Sequence, residues 1–230
     1  MKKYSILFIS LFAMHVTFGQ AGSIYAEVNY NTFAHSSLKS FQEEFINDIP
    51  EVPLETNDNF PANVGFTIGY ILNSINTSFF FSYNTTGGKI SYSDFSGKIR
   101  LTQPLNGYTI GGSYLIDILE NSDKNKFKIG FKGFYTISTL KIESYNQILD
   151  AITEDSIGLK SSDFGVGASL IYEYPVSFFK IRATIGVDVV LGGKLLFDEN
   201  NDFHLEDNSG DAVNTGWTGL RTGLGISIPL

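Results

Sequence analysis

Between positions 164 and 174 the chain reads Phe-Gly-Val-Gly-Ala-Ser-Leu-Ile-Tyr-Glu-Tyr. Phe164, Val166, Ala168, Leu170, Tyr172 and Tyr174 share one parity, and Gly165, Gly167, Ser169, Ile171 and Glu173 the other. Side chains of a strand alternate between faces, so one face of this segment is greasy and the other small or polar. Eight segments carry the pattern: 22–34, 62–72, 76–95, 98–118, 126–142, 157–174, 178–197 and 215–230. Beyond residue 19 nothing approaches the roughly 18 consecutive apolar residues of a membrane-spanning helix. Strands that meet lipid must close on themselves, because hydrocarbon offers no partner to an open edge.

The first 19 residues point to the compartment. Lys2 and Lys3 precede an apolar run from Tyr4 to Phe18, and Gly19 ends it just before Gln20. This is the layout of a cleavable signal peptide, which divides the chain into a leader, 1–19, and a mature domain, 20–230. There are no cysteines, so disulfides and thiolate metal sites are excluded. The net charge is −8, and losing Lys2 and Lys3 makes it more negative by two. Nucleic-acid binding, which needs a basic footprint, is not expected.

Alternation alone also describes a soluble barrel with a greasy interior. Three features favour membrane. The polar parity is rich in glycine, at 65, 69, 111, 130, 165, 167, 186, 223 and 225, as a crowded lumen allows. The outward aromatics fall at two heights: Tyr70, Tyr114, Phe127, Tyr172, Tyr174 and Phe179 near one end, Tyr83, Tyr108, Tyr135 and Phe164 near the other. These are the expected interfacial girdles. The inward parity carries both signs of charge: Glu27, Asp163, Glu173 and Asp188 against Lys128, Lys132, Lys180, Arg182 and Arg221. An eight-stranded lumen is only wide enough for side chains, so these groups are expected to form a paired network. The expected fold is all-β: an eight-stranded antiparallel up-and-down transmembrane β-barrel with short amphipathic helices in extracellular loops.

On this pattern the mature chain resembles small eight-stranded outer-membrane barrels of the OmpA-transmembrane/OmpX type. It is also similar to the barrel families of Bacteroidota-type outer membranes, which include PorT-like proteins associated with type IX secretion. The last strand, Gly223-Leu-Gly-Ile-Ser-Ile-Pro-Leu230, looks like the assembly signal of such barrels, with leucine in place of a terminal aromatic. The resemblance implies residence in the cell outer membrane among lipid and lipopolysaccharide, and membership of an envelope protein complex.

Connections are expected to alternate between short (around 73–75, 119–125 and 175–177) and long (35–61, 143–156 and 198–214), with a tight hairpin near 94–97 joining two overlong strands. Two long loops carry helical spacing. Leu38, Phe41, Phe45, Ile46 and Ile49 form one stripe, with Ser37 as a cap and Pro50 as a stop. Tyr145, Ile148, Leu149 and Ile152 form another behind Ser144. Each stripe either folds over the barrel mouth or docks a partner protein or the lipid surface, and the first is the candidate docking stripe.

Catalytic signals are sparse. His35 and His204 lie in long loops beside the first and last strands, with no serine or carboxylate at a distinctive spacing. Asp198, Asn200 and Asp202 open like a calcium loop, but Phe203 replaces the turn glycine and Ser209 the bidentate glutamate. An acidic solvated loop accounts for this stretch, though cations bridging lipopolysaccharide could gather there. Segments 219–225 and 85–89 lack phosphate-loop spacing. No cofactor, metal or catalytic residue is assigned. The expected role is structural or interaction-based (envelope integrity, adhesion, or an accessory subunit). A lipid-modifying enzyme using a histidine and a narrow channel are the alternatives.

Overall fold

A computed structural model describes residues 22–121 and 125–230. The expected leader and the cleavage point before Gln20 lie outside them, as do residues 122–124 of one short link. The elements in order are β1 (Gly22–Phe33), α1 (Ser36–Asn47), β2 (Glu55–Asn59), β3 (Asn63–Leu72), a 3-10 turn (Asn73–Ile75), β4 (Thr77–Ser93), β5 (Gly97–Asn121), β6 (Asn125–Ile148), β7 (Ala151–Val176), β8 (Phe179–Gly192), β9 (Leu196–Phe197) and β10 (Gly219–Pro229).

Eight strands form a ring. β1 pairs with β3, then β4, β5, β6, β7, β8 and β10 follow, and β10 returns to β1. Every pairing is antiparallel; β1 and β10 close the barrel over eleven residue pairs, from Ser23 opposite Pro229 to Phe33 opposite Gly219. The alternation dictates the two faces. In β1, Ile24, Val28 and Tyr30 are exposed, while Tyr25, Glu27, Asn29, Asn31 and Phe33 are buried in the lumen. The girdle aromatics meet as cross-strand neighbours. Tyr83 and Tyr108 have ring centroids 5.2 Å apart, Tyr135 and Phe164 5.0 Å, and Phe127 and Tyr172 4.7 Å. Phe127 and Tyr135 are eight residues apart on β6, about 27 Å of strand. At a tilt of about 40° that is roughly 20 Å of height, close to the apolar belt of a transmembrane barrel.

The inward glycines make room for rings. A Cβ on Gly165 would overlap the Phe134 ring, and one on Gly111 would lie 2.6 Å from Phe80. Gly69 sits likewise under Tyr25. Large and empty positions alternate across strands, so rings fill a lumen too narrow for two in a row.

Two expectations are corrected. Residues 143–156 are neither a long loop nor a helix. Tyr145, Ile148 and Ile152 belong to β6 and β7, which pair from Lys126 opposite Glu173 up to Ile148 opposite Ala151. The turn is only Leu149 and Asp150, with Leu149 in the left-handed region at φ 52°. Helical spacing lost here because β5 reaches up to Gly97 and would otherwise leave its own edge unpaired; Gly97 to Thr102 pair with Ile148 to Glu143. Second, α1 has no Ser37 cap. His35 occupies the cap position in a left-handed conformation, and the Ser37 hydroxyl accepts the Asn214 N–H at 3.2 Å.

The tight hairpin at 94–96 is present. With β6 and β7 it forms a sheet that continues far above the girdle, and β2 adds a fifth strand along β4. This extracellular paddle has the order β2-β4-β5-β6-β7.

Candidate functional site

The lumen is stratified. At the short-turn end, Tyr25, Ile71, Leu115 and Ile171 pack together with Phe80. At the long-loop end, Phe33, Leu38, Phe60, Leu105, Leu140, Leu159, Leu195, Val213 and Trp217 form a larger buried cluster. Asp188, Lys132, Arg221 and buried amides lie between this outer plug and the lower cluster, while Glu173, Arg182 and Lys180 lie beside the lower cluster at the short-turn end.

Arg182 is the hub of the lower charge cluster. Its Nε donates to Glu27 Oε1 at 2.7 Å, its Nη1 donates to Glu173 Oε1 at 2.8 Å, and its guanidinium stacks 4.4 Å from the centre of the Tyr25 ring. Glu173 also receives Lys128 at 3.3 Å and Lys180 at 3.8 Å, and the Thr184 hydroxyl donates to Glu27 at 2.7 Å. A second cluster lies nearer the outer end, where Asp188 pairs with Lys132 at 2.7 Å and Arg221 at 3.2 Å. Eight of the nine expected network residues are thus in ion pairs.

Asp163 departs from the expectation. No cation pairs with it among the described residues. Its carboxylate accepts the Ser161 hydroxyl at 3.3 Å and the Thr215 hydroxyl at 3.0 Å under the outer plug. Gly193, at φ +89°, passes so close that any Cβ there would overlap the carboxylate. A carboxylate held by hydroxyls is satisfied without a counter-ion.

The stripe on α1 is turned towards its own barrel. Leu38 is buried in the outer plug with Phe41 packed on it, while Phe45, Ile46 and Ile49 pack against Leu54, Ile90 and Leu101 on the inner face of the paddle. Of the two roles expected for it, this packing is that of a lid. The docking role has no free apolar face in this conformation, because the paddle strands supply a surface that the sequence of the loop does not reveal.

The two histidines have separate surroundings. His35 is fully buried among Phe33, Phe60 and Trp217, with Nδ1 against the Thr215 carbonyl. Burial lowers its pKa to about 4. No hydroxyl nucleophile contacts it among the described residues. His204 sits in the 198–214 loop, 3.2 Å from Glu206. The acids of that loop hold turns and surface pairs. Asp198 meets Lys160 at 3.0 Å, Asn200 Oδ1 accepts the Asp202 N–H, and Asp207 accepts the N–H groups of Ser209 and Asp211. Among the described residues, no three His, Asp or Glu side chains converge as a metal site. Segments 219–225 and 85–89 are parts of the strands β10 and β4.

The sequence reading missed Trp217. Its Nε1 donates to Ser138 at 2.8 Å, and its ring fills the space above Gly107. Its signal was its solitude: it is the chain's one tryptophan, set two residues before the last strand.

A closed antiparallel barrel with an apolar belt between aromatic girdles is a transmembrane architecture, and its place is the outer membrane. No family model matches the chain, and no curated protein matches it. Among solved structures it is similar to a major outer membrane protein from Thermus thermophilus. That match has 10% identity over 91% of this chain and 100% of that one, at a TM-score of 0.48. It is also similar to Neisserial surface protein A, at 9% identity over 90% of this chain and 96% of that one, with a TM-score of 0.30.

Proposed function

We propose that the protein is a non-enzymatic, non-conducting outer-membrane barrel that acts through its extracellular surface, as an adhesive element or an accessory subunit of an envelope complex. The observation that carries this reading is the lumen, which is filled by two apolar clusters and by charges paired with one another. A pore needs a continuous wet path, and here the interior is a packed core instead. What remains available is the paddle, a five-stranded sheet standing clear of the girdle. The reading fits small barrels of the OmpA-transmembrane/OmpX type, which the strand count supports. A lipid enzyme using His35 or His204 is not favoured, since His35 is sealed into the plug and the side-chain partner of His204 among the described residues is Glu206, not a hydroxyl.

The test is conductance. Reconstituted into planar bilayers, the purified barrel is expected to give no steady single-channel current. Reproducible ohmic steps that grow in the Arg182→Ala variant would overturn the closed-lumen reading.

A further inference from the structure

The paddle ends on an edge strand at each side. On one side the short β2 lies along β4, and α1 approaches its outer edge, where the Gln42 amide donates to the Asp58 carbonyl at 3.0 Å. On the other, β7 leaves the barrel wall and its outer neighbours end. β8 pairs with β7 only from Asp163 downward, and β9 only at Leu159 and Lys160. The last backbone bond on that side runs from the Asp198 N–H to the Gly158 carbonyl at 2.9 Å. Residues 151–157 pair with β6 alone and are all exposed.

Backbone polarity alternates along a strand, so Ser156, Glu154 and Ile152 aim their N–H and C=O groups the same way as Gly158, away from β6. The Ser156 N–H finds only the side chain of its neighbour Asp155, at 2.8 Å. An edge of this length is a template for another strand.

Its side chains narrow the choice of occupant. Glu154 lies on the outward face and Asp155 on the inward face, flanked by exposed Ile152 and Ile157. Neither acid has a salt bridge among the described residues. The nearby cations are engaged elsewhere: Arg100 stacks on Tyr145, and Lys141 pairs with Glu143 at 2.7 Å. Beside the edge, a polar hollow of about 390 Å³ is bordered by Glu154 and Ser156 and, farther from the edge, by Arg100, Lys141, Glu143 and Tyr145.

A second copy of the chain is a poor occupant. Antiparallel self-pairing through the edge, centred on Glu154 or on Asp155, sets that acid directly opposite its own copy. Like charges directly opposed are destabilising.

We infer that the 151–157 edge accepts an extended segment of a partner protein by strand addition, and that this segment carries two adjacent basic residues flanked by apolar ones. One basic side chain would lie over each face, against Glu154 and Asp155, while the apolar residues would meet Ile152 and Ile157. This rests on the surface-interaction reading above and gives that surface a partner chemistry.

The test uses the full-length barrel in detergent and a fluorescent, end-capped peptide, Val-Thr-Lys-Lys-Thr-Val, with Val-Thr-Glu-Glu-Thr-Val as control. The lysine peptide is expected to bind at least about tenfold more tightly than the control, as two cross-strand charge pairs change sign. The double variant Glu154→Lys, Asp155→Lys should reverse the preference. Ser156→Pro should abolish binding while leaving the β6 pairing intact, because it removes only an N–H that faces away. Equal binding of both peptides, or full binding to Ser156→Pro, would place the contact elsewhere and overturn the inference. So would absence of lysine-peptide binding, or dimerisation that Ser156→Pro abolishes. If Ser156→Pro fails to fold, judged by loss of its gel shift on boiling, the charge-reversal pair decides alone. These failures leave the closed-lumen reading standing, whereas bilayer currents would defeat that reading whatever the peptides do.

Discussion

Replacing Arg182 with methionine should destabilise the barrel by roughly 3–5 kcal/mol, the cost of breaking a buried ion pair from one side. Where that cost arises can be read from the contacts. Arg182 serves two carboxylates, Glu27 at 2.7 Å and Glu173 at 2.8 Å. Glu173 keeps Lys128 and Lys180 after the change. Glu27, itself buried, keeps only the Thr184 hydroxyl among the described residues. Most of the penalty therefore falls on Glu27, and adding Glu27→Gln to Arg182→Met should recover about half of the loss by removing the stranded charge. The assay is urea unfolding in detergent micelles with two readouts. Trp217 fluorescence follows the outer plug, and the migration difference between boiled and unboiled samples follows the closed barrel. A loss of about 3 kcal/mol changes the folded-to-unfolded ratio more than a hundredfold and moves the midpoint well outside error. An unchanged midpoint in Arg182→Met, with no effect from the added Glu27→Gln, would show these carboxylates to be solvated and would refute the packed lumen.

Protonation of His35 should loosen the outer plug. Its folded pKa of about 4 lies below the ordinary 6.5, so the unfolded state takes up the proton first. Stability is full above pH 6.5, falls between 6.5 and 4 by about 3 kcal/mol, and levels off below; a flat response of Trp217 fluorescence to urea across that window would contradict this. Gly165→Leu should overfill the space beneath Phe134 and cost about 1–3 kcal/mol, seen as a lower urea midpoint, whereas the same change at outward Gly133, which has nothing within 4 Å, should be tolerated. The double variant Phe41→Ser, Phe45→Ser should leave the boiled-versus-unboiled shift intact and speed proteolysis between residues 35 and 61, since each ring covers its own barrel at roughly 2 kcal/mol. Unaltered proteolysis would mean that the helix is held without them.

Much of this molecule follows from an alternation of period two. Because neighbouring side chains must point to opposite faces, the sequence alone determines which residues meet lipid, which line the lumen, and where the Tyr83, Tyr108 and Tyr135 girdle falls. It also places the nine charges of the expected network on the inward face, since parity is a local property. Their partners are not local. Glu27 and Arg182 are 155 residues apart and meet over Gly225 of the strand between them, and Asp163, on the same parity, is left to the hydroxyls of Ser161 and Thr215. The helical spacing of Tyr145, Ile148, Leu149 and Ile152 is as regular as that of the α1 stripe, yet only α1 is a helix. The difference lies in what each segment meets: 143–148 lies along the unpaired upper part of β5, while the α1 stripe meets the side-chain face of the paddle. The open edge at 151–157 has no sequence signature at all. It exists because β8 and β9 stop where they do, and where a neighbouring strand ends is decided by the whole ring.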